Sequence, residues 1–153
     1  MKVRKASQSD AREICDLLHK SIKDGCIQDH DNDEKTIAAW LKNKIPENVM
    51  HWITDAENYA VIAEQNGKIT GMGMITVRGE INLCYVLPGF FHQGIGKELL
   101  HAMEDWAKQH GINEILLNST KTAREFYKRN RYAENGPPDN EFVVTAYPMR
   151  KKL

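Results

Sequence analysis

The chain has 153 residues, 21 Lys and Arg against 21 Asp and Glu, and 41% hydrophobic residues. That length buries a core without disulfides or metal, and the even charge balance excludes the clustered basic excess of a nucleic-acid-binding stripe or of a protein held on a membrane surface. Cys15, Cys26 and Cys84 are odd in number, widely spaced and without histidines at metal-ligand spacing, so no metal is expected and the chain reads as a reduced, cytoplasmic protein.

The start, Met1-Lys2-Val3-Arg4-Lys5, shows no apolar core of a signal peptide, and no run of the chain is long enough to cross a bilayer. Residues 3–6 predict a short first strand. Ser9-Asp10 then caps a helix whose apolar face is Ile14, Cys15, Leu17, Leu18 and Ile22, broken at Gly25. Residues 26–33 read as a polar, acidic linker. A second helical pattern starts near Asp33 and carries Ile37, Ala38, Trp40 and Leu41. A third starts at Pro46, a residue well tolerated in a first helical turn, and carries Val49, Met50, Trp52 and Ile53.

From Tyr59 the period changes to that of strands: 59–64, 69–77 and 81–86, joined by turns at Asn66-Gly67 and Arg78-Gly79 into an antiparallel meander. Ile95, Leu99, Leu100, Met103, Trp106 and Ala107 then mark one face of a long helix that Gly111 stops. Residues 114–118 predict a strand returning parallel after this crossover, residues 122–130 a short helix, and residues 141–147 a closing strand reached across Pro137-Pro138. Met72, Met74, Met103 and Trp106 read as core, Trp40 and Trp52 as helix-packing residues. The expected class is α+β, a mixed and mostly antiparallel sheet with helices on both faces, formed as one domain over residues 1–153.

Between the third strand of the meander and the long helix lies Phe91-His92-Gln93-Gly94-Ile95-Gly96-Lys97. Glycines at a first helical turn leave N–H groups unpaired and unshielded, with the positive end of the helix dipole behind them, which makes a cradle for phosphate. A nucleotide P-loop is excluded, because Phe91 stands where its first glycine belongs and Glu98 where its hydroxyl belongs. A dinucleotide fingerprint is excluded by Leu99, which occupies the place of its third glycine.

The run from Val86 through Pro88, Gln93, Gly94 and Gly96 to Leu99 resembles the acetyl-coenzyme A signature of the GNAT-type N-acetyltransferases, Val-x-Pro-x-aromatic-Gln/Arg-x-x-Gly-x-Gly/Ala-x-x-Leu. Phe91 departs from it, at a position normally Gln or Arg. Asn118 to Tyr127 is similar to the family's second segment, Asn-x-x-Ala-x-x-Phe-Tyr, with Ala123, Phe126 and Tyr127 matching. Thr120 replaces the usual Asn, and Arg131 stands where Gly precedes the aromatic Tyr132, so Asn130 is expected to end the helix.

The resemblance spans nearly the whole chain and implies the GNAT fold, with acetyl-coenzyme A as cofactor and a primary amine of a small molecule or protein as acceptor. It implies that amides from Phe91, His92, Gln93, Gly94, Ile95, Gly96 and Lys97 hold the diphosphate. It places the pantetheine arm along exposed backbone at Leu83, Tyr85 and Val86, with Val86 N–H polarising the thioester, and Asn118, Thr120, Ala123 and Phe126 beside the cofactor. Tyr127, protonated at neutral pH with an ordinary pKa near ~10, suits the general acid for the leaving thiolate. Glu80 is the candidate base, with Asp29 and His30 as alternatives; Asp29, His30, Trp40 and Trp52 are candidate acceptor-side residues. Cys84 could act covalently in principle, although a buried cysteine is usually inert. A non-catalytic acyl-coenzyme A sensor and a transferase of a longer acyl group would draw on the same residues. Homodimers built through the terminal strand or the variable helices are common for such a fold.

Overall fold

The computed structural model describes residues 1–153. Its strands are β1 (Lys2–Lys5), β2 (Asn58–Gln65), β3 (Lys68–Thr76), β4 (Glu80–Val86), β5 (Glu114–Ser119), β6 (Ala133–Glu134) and β7 (Tyr147–Lys152). Its helices are α1 (Ala11–Gly25), α2 (Ile27–His30), α3 (Glu34–Leu41), α4 (Pro46–Thr54), α5 (Ile95–Gln109) and α6 (Arg124–Arg129). The strands form one sheet in the order β1-β2-β3-β4-β5-β7-β6, antiparallel throughout except between β4 and β5. The β2–β3 hairpin turns on Asn66 and Gly67, both at positive φ, as the Asn-Gly dipeptide predicts.

Two cores follow from the two faces. On one, α1 and α4 bury Ile14, Leu18 and Val49 against Ile62 and Met72 of the sheet. On the other, α5 buries Leu99, Leu100 and Met103 against Ile75, Ile115 and Met149. Helix α5 sits close because β3 is bare beneath it: a Cβ on Gly71 would lie 2.8 Å from Ile95, and one on Gly73 2.6 Å from Met103.

Four expectations are corrected. The presumed linker contains the one-turn helix α2, with the side chain of His30 folded back onto the end of α1. The last strand is 147–152 rather than 141–147; residues 141–146 are a loop, touched only by the bridge between Asp139 and Ala146. The basic run Arg150-Lys151-Lys152 is held in the sheet because Lys151 reaches the buried carboxylate of Glu104 at 3.0 Å, which Tyr132 also contacts at 2.8 Å. Asn130 ends α6 as expected, but the left-handed turn expected of it falls on Arg131, at φ 72°, while Asn130 stays at φ −98°. Trp106, expected as core, is half-buried and stacks on Tyr59 at 5.1 Å.

Two irregularities of β4 open the sheet. Between Met74↔Leu83 and Ile75↔Ile81 the register skips Asn82, so β4 bulges there and its side chains change face: Ile81 joins the α5 core and Leu83 the α1 core. Beyond Glu80↔Leu116 and Ile81↔Leu117, β4 and β5 no longer pair. No helix is long and apolar enough to cross a membrane.

Candidate active site

The chain reaches α5 through a 3-10 turn, Pro88–Phe90, and a loop in which His92 and Gly94 both take positive φ, 62° and 81°. Gly94 caps α5 without a side-chain bond, and the first helical bond runs from Glu98 N–H to the Gly94 carbonyl at 3.1 Å. No N–H from Phe91 to Lys97 has an acceptor within the chain. Nothing lies within 4 Å of the place a Cβ on Gly94 would occupy, so the cradle opens to an approaching anion. The Phe91 ring, 43% exposed, leans on Gly25 at the end of α1, where a Cβ would meet it at 3.4 Å. Its position in the motif thus carries packing against α1 instead of a polar side chain.

Gly96 has a different reason. A Cβ there would meet the Phe126 ring at 2.9 Å, so the first turn of α5 packs directly on the aromatic side chain of α6. Thr120 keeps the capping role of the usual Asn, its hydroxyl accepting the Ala123 N–H at 3.2 Å just before α6.

Where β4 leaves β5, Leu87 turns its N–H to Thr70 of β3 at 2.9 Å. Alternation along the strand therefore turns the backbone groups of Val86 and Cys84 the other way, into the opening. The Val86 carbonyl is taken by the Ser21 hydroxyl at 3.2 Å, which leaves its N–H facing the gap. Leu83 and Tyr85 differ from expectation: their carbonyls lie against Gly73 and Gly71 of β3, and they contribute side chains to the α1 face instead.

Tyr127 is buried on the α5 face, flanked by Phe126 and Tyr132 with ring centroids at 5.2 and 5.6 Å. Burial, and after it the neighbouring Cys84 thiol and Tyr85, hold its hydroxyl well above the usual phenol range. Burial also pushes the Cys84 thiol up to about 12. Cys84 is therefore a thiol, not a nucleophilic thiolate, at neutral pH. Tyr127 keeps its proton at any pH in the neutral range.

Glu80 starts β4 beside the bulge, half-exposed, 3.8 Å from the guanidinium of Arg78. It lines a cleft of about 470 Å³ together with Asn82, Leu116, Asn118, Asn135 and Phe142. Asn118 belongs to this cleft, on the face of β5 away from α5. The loop between β6 and β7 supplies Phe142, a contribution that sequence alone did not single out because an exposed aromatic in a loop carries no periodicity.

The other acceptor-side candidates are placed elsewhere. The Asp29 carboxylate accepts from Lys121 N–H at 2.6 Å, Thr122 N–H at 3.3 Å and the Thr122 hydroxyl at 2.5 Å, clasping α2 to the loop before α6. His30 is buried, its Nε2 donating to the Ile22 carbonyl at 2.8 Å and its Nδ1 accepting Asn32 N–H at 3.0 Å. Both ring nitrogens are spent on backbone, so neither residue is free to serve as a base. Trp40 is buried against Ile22 and Cys26, edge-on to His30 at 6.3 Å. Trp52 packs on the α1 core, and its carbonyl holds Asn58, away from the opening. No group of three or more His, Cys, Asp or Glu side chains is placed to hold a metal.

Comparison with known proteins agrees with this geometry. Residues 26–153 match the acetyltransferase (GNAT) domain family. A curated relative, the uncharacterized N-acetyltransferase YhfO of Bacillus subtilis, is 26% identical over 147 residues, covering 88% of this chain and 91% of that protein. The IAA acetyltransferase of Azospirillum brasilense is 28% identical over 85 residues, 50% of this chain and 56% of its own. Among solved structures, the PaiA N-acetyltransferase of Thermoplasma acidophilum in complex with coenzyme A superposes with a TM-score of 0.88 at 21% identity, over 99% of this chain and 98% of that one. An aminoglycoside 6'-N-acetyltransferase of Enterococcus faecium superposes at 0.75 and 16% identity, over 99% and 97% of the two chains. With an unpaired amide loop ahead of α5, a sheet parted between β4 and β5, and a tyrosine on α6 beside the parting, the chain belongs to the GNAT family of N-acetyltransferases.

Proposed function

We propose that this N-acetyltransferase carries the acetyl group of acetyl-coenzyme A directly to a primary amine of a small molecule or protein, with Tyr127 as general acid and Glu80 as general base. The observation that carries the reading is the row of free N–H groups at 91–97 leading to the β4–β5 opening, with the Tyr127 side chain next to Cys84 on that strand. The cradle fits a diphosphate by its donors, by the open space before Gly94 and by the helix dipole behind it.

When bound, acetyl-coenzyme A supplies a thioester whose sulfur leaves as a thiolate. The residues of the chain then have four tasks. Amides of residues 92–97 grip the diphosphate, and the free edge of β4 at Cys84 and Val86 pairs with an amide-bearing arm as an added strand would. The Val86 N–H faces the gap and offers its dipole to a developing oxyanion. Tyr127 holds a proton at its hydroxyl oxygen in water-poor surroundings and yields it only where negative charge builds beside it. On the opposite side, an alkylamine with a pKa near ~10.4 arrives protonated, and Glu80, directly or through a water, takes the proton before attack. A covalent route through Cys84 is disfavoured by its raised pKa.

Titration calorimetry with coenzyme A, paired with thiol release from acetyl-coenzyme A across a panel of amines, tests the reading. Saturable heat and amine-dependent thiol release are expected. No heat at millimolar coenzyme A would overturn it, and binding without transfer to any amine would point to a sensor.

A further inference from the structure

We infer that the acceptor is a monocationic primary amine bearing an apolar body, of the arylalkylamine kind, and not a polyamine or an amino sugar. This rests on the proposed transfer reaction and specifies its second substrate.

The chemistry of the cleft beside Glu80 carries the inference. Glu80 is the single charged side chain among the residues that line it. Two acidic groups on neighbouring elements are engaged elsewhere: Asp29 by Lys121 and Thr122, and Glu134 by Arg124 at 2.6 Å and Lys128 at 3.3 Å. A second or third ammonium group would enter the cleft with no carboxylate to meet it, and an unpaired cation taken from water is costly. A single ammonium, by contrast, finds Glu80, displacing its long and exposed contact with Arg78 at 3.8 Å.

The rest of the lining asks for an apolar partner. Leu116, 38% exposed, and Phe142, 54% exposed, are two of the few large apolar side chains the molecule leaves in water, and both face this cleft. Such a surface gains by covering a ring or an aliphatic chain and gains nothing from a hydroxylated sugar. The volume, about 470 Å³, holds a molecule of one or two rings. The three carboxamides on its wall, Asn82, Asn118 and Asn135, orient polar atoms without adding charge.

The experiment compares kcat/KM for phenethylamine, hexylamine, spermidine and kanamycin, in the wild-type chain and in Phe142→Ala and Phe142→Leu. Phenethylamine and hexylamine should exceed spermidine and kanamycin by at least about tenfold. Phe142→Ala should raise KM for phenethylamine about tenfold with little change in kcat, and Phe142→Leu should restore most of it. Phe142 lies exposed in a loop, so folding is preserved; circular dichroism and coenzyme A binding confirm this for each variant. Preference for spermidine or kanamycin, or an unchanged KM in Phe142→Ala, overturns the inference while leaving the transfer reaction standing. Loss of coenzyme A binding in the wild type would instead remove the reaction on which it rests.

Discussion

On the α5 side of the β4–β5 opening the chain offers main-chain N–H groups from residues 91–97, whereas on the far side it offers the side chains of Glu80, Asn118 and Phe142. The first surface keeps its donors whatever side chains decorate it, provided Gly94 holds its positive φ and Gly96 its bare backbone. The second changes its chemistry with every substitution. On the proposed reading one side fixes what is delivered and the other selects what receives it, so the two should respond to mutation in opposite ways.

The largest effect is expected where the two surfaces meet. Tyr127→Phe should lower kcat about 100-fold while changing coenzyme A affinity less than about threefold; a calorimetric titration beside initial rates separates the two. Because burial raises the Tyr127 pKa, its proton is retained as pH rises, and no alkaline fall in kcat should set in below about pH 10 from this group. A limb near pH 8 that vanishes in Tyr127→Phe would contradict that assignment.

Glu80→Gln belongs to the selecting side and should reduce kcat/KM about tenfold to 100-fold at neutral pH, with partial recovery at high pH where free amine is abundant. Equal loss at all pH values would reduce Glu80 to a positioning role. Asp29→Ala removes three hydrogen bonds and should cost about 1–3 kcal/mol of stability, read as a lower urea midpoint with unchanged m-value. The smallest effect belongs to the delivering side. Phe91→Ala leaves every amide in place and should weaken coenzyme A less than about threefold; a tenfold loss would mean that the ring itself contacts the cofactor.

Much of this arrangement is legible in the residues. The Asn66-Gly67 hairpin, the 3.6-residue period of α5 and the spacing of Gly94 and Gly96 are local signals with local causes. What escapes is decided by contacts distant in sequence. Residues 26–33 look like a linker because α2 is one turn long; its His30 finds backbone partners on α1 that no periodicity announces. The predicted closing strand stops at 147, yet Arg150-Lys151-Lys152 joins the sheet, where Glu104, 47 residues before Lys151, receives it from the buried face of α5. Asp29 and His30 carry the residue types of a catalytic pair, yet the structure uses both to tie loops down. Sequence displays a titratable group, but not whether its lone pairs are already occupied.

The contact of Phe126 with the bare backbone of Gly96 places a single aromatic ring between two ends of the same catalytic distance. On one side of that ring starts the helix whose amides, on the proposed reading, hold the diphosphate; the residue next in sequence is the proposed proton donor. On that reading the ring is a spacer of fixed thickness, setting how far the anchored end of a long, flexible ligand lies from its reacting sulfur. Even one added methyl at position 96 would push the two apart by a fraction of an ångström, which rigid proton transfer tolerates poorly.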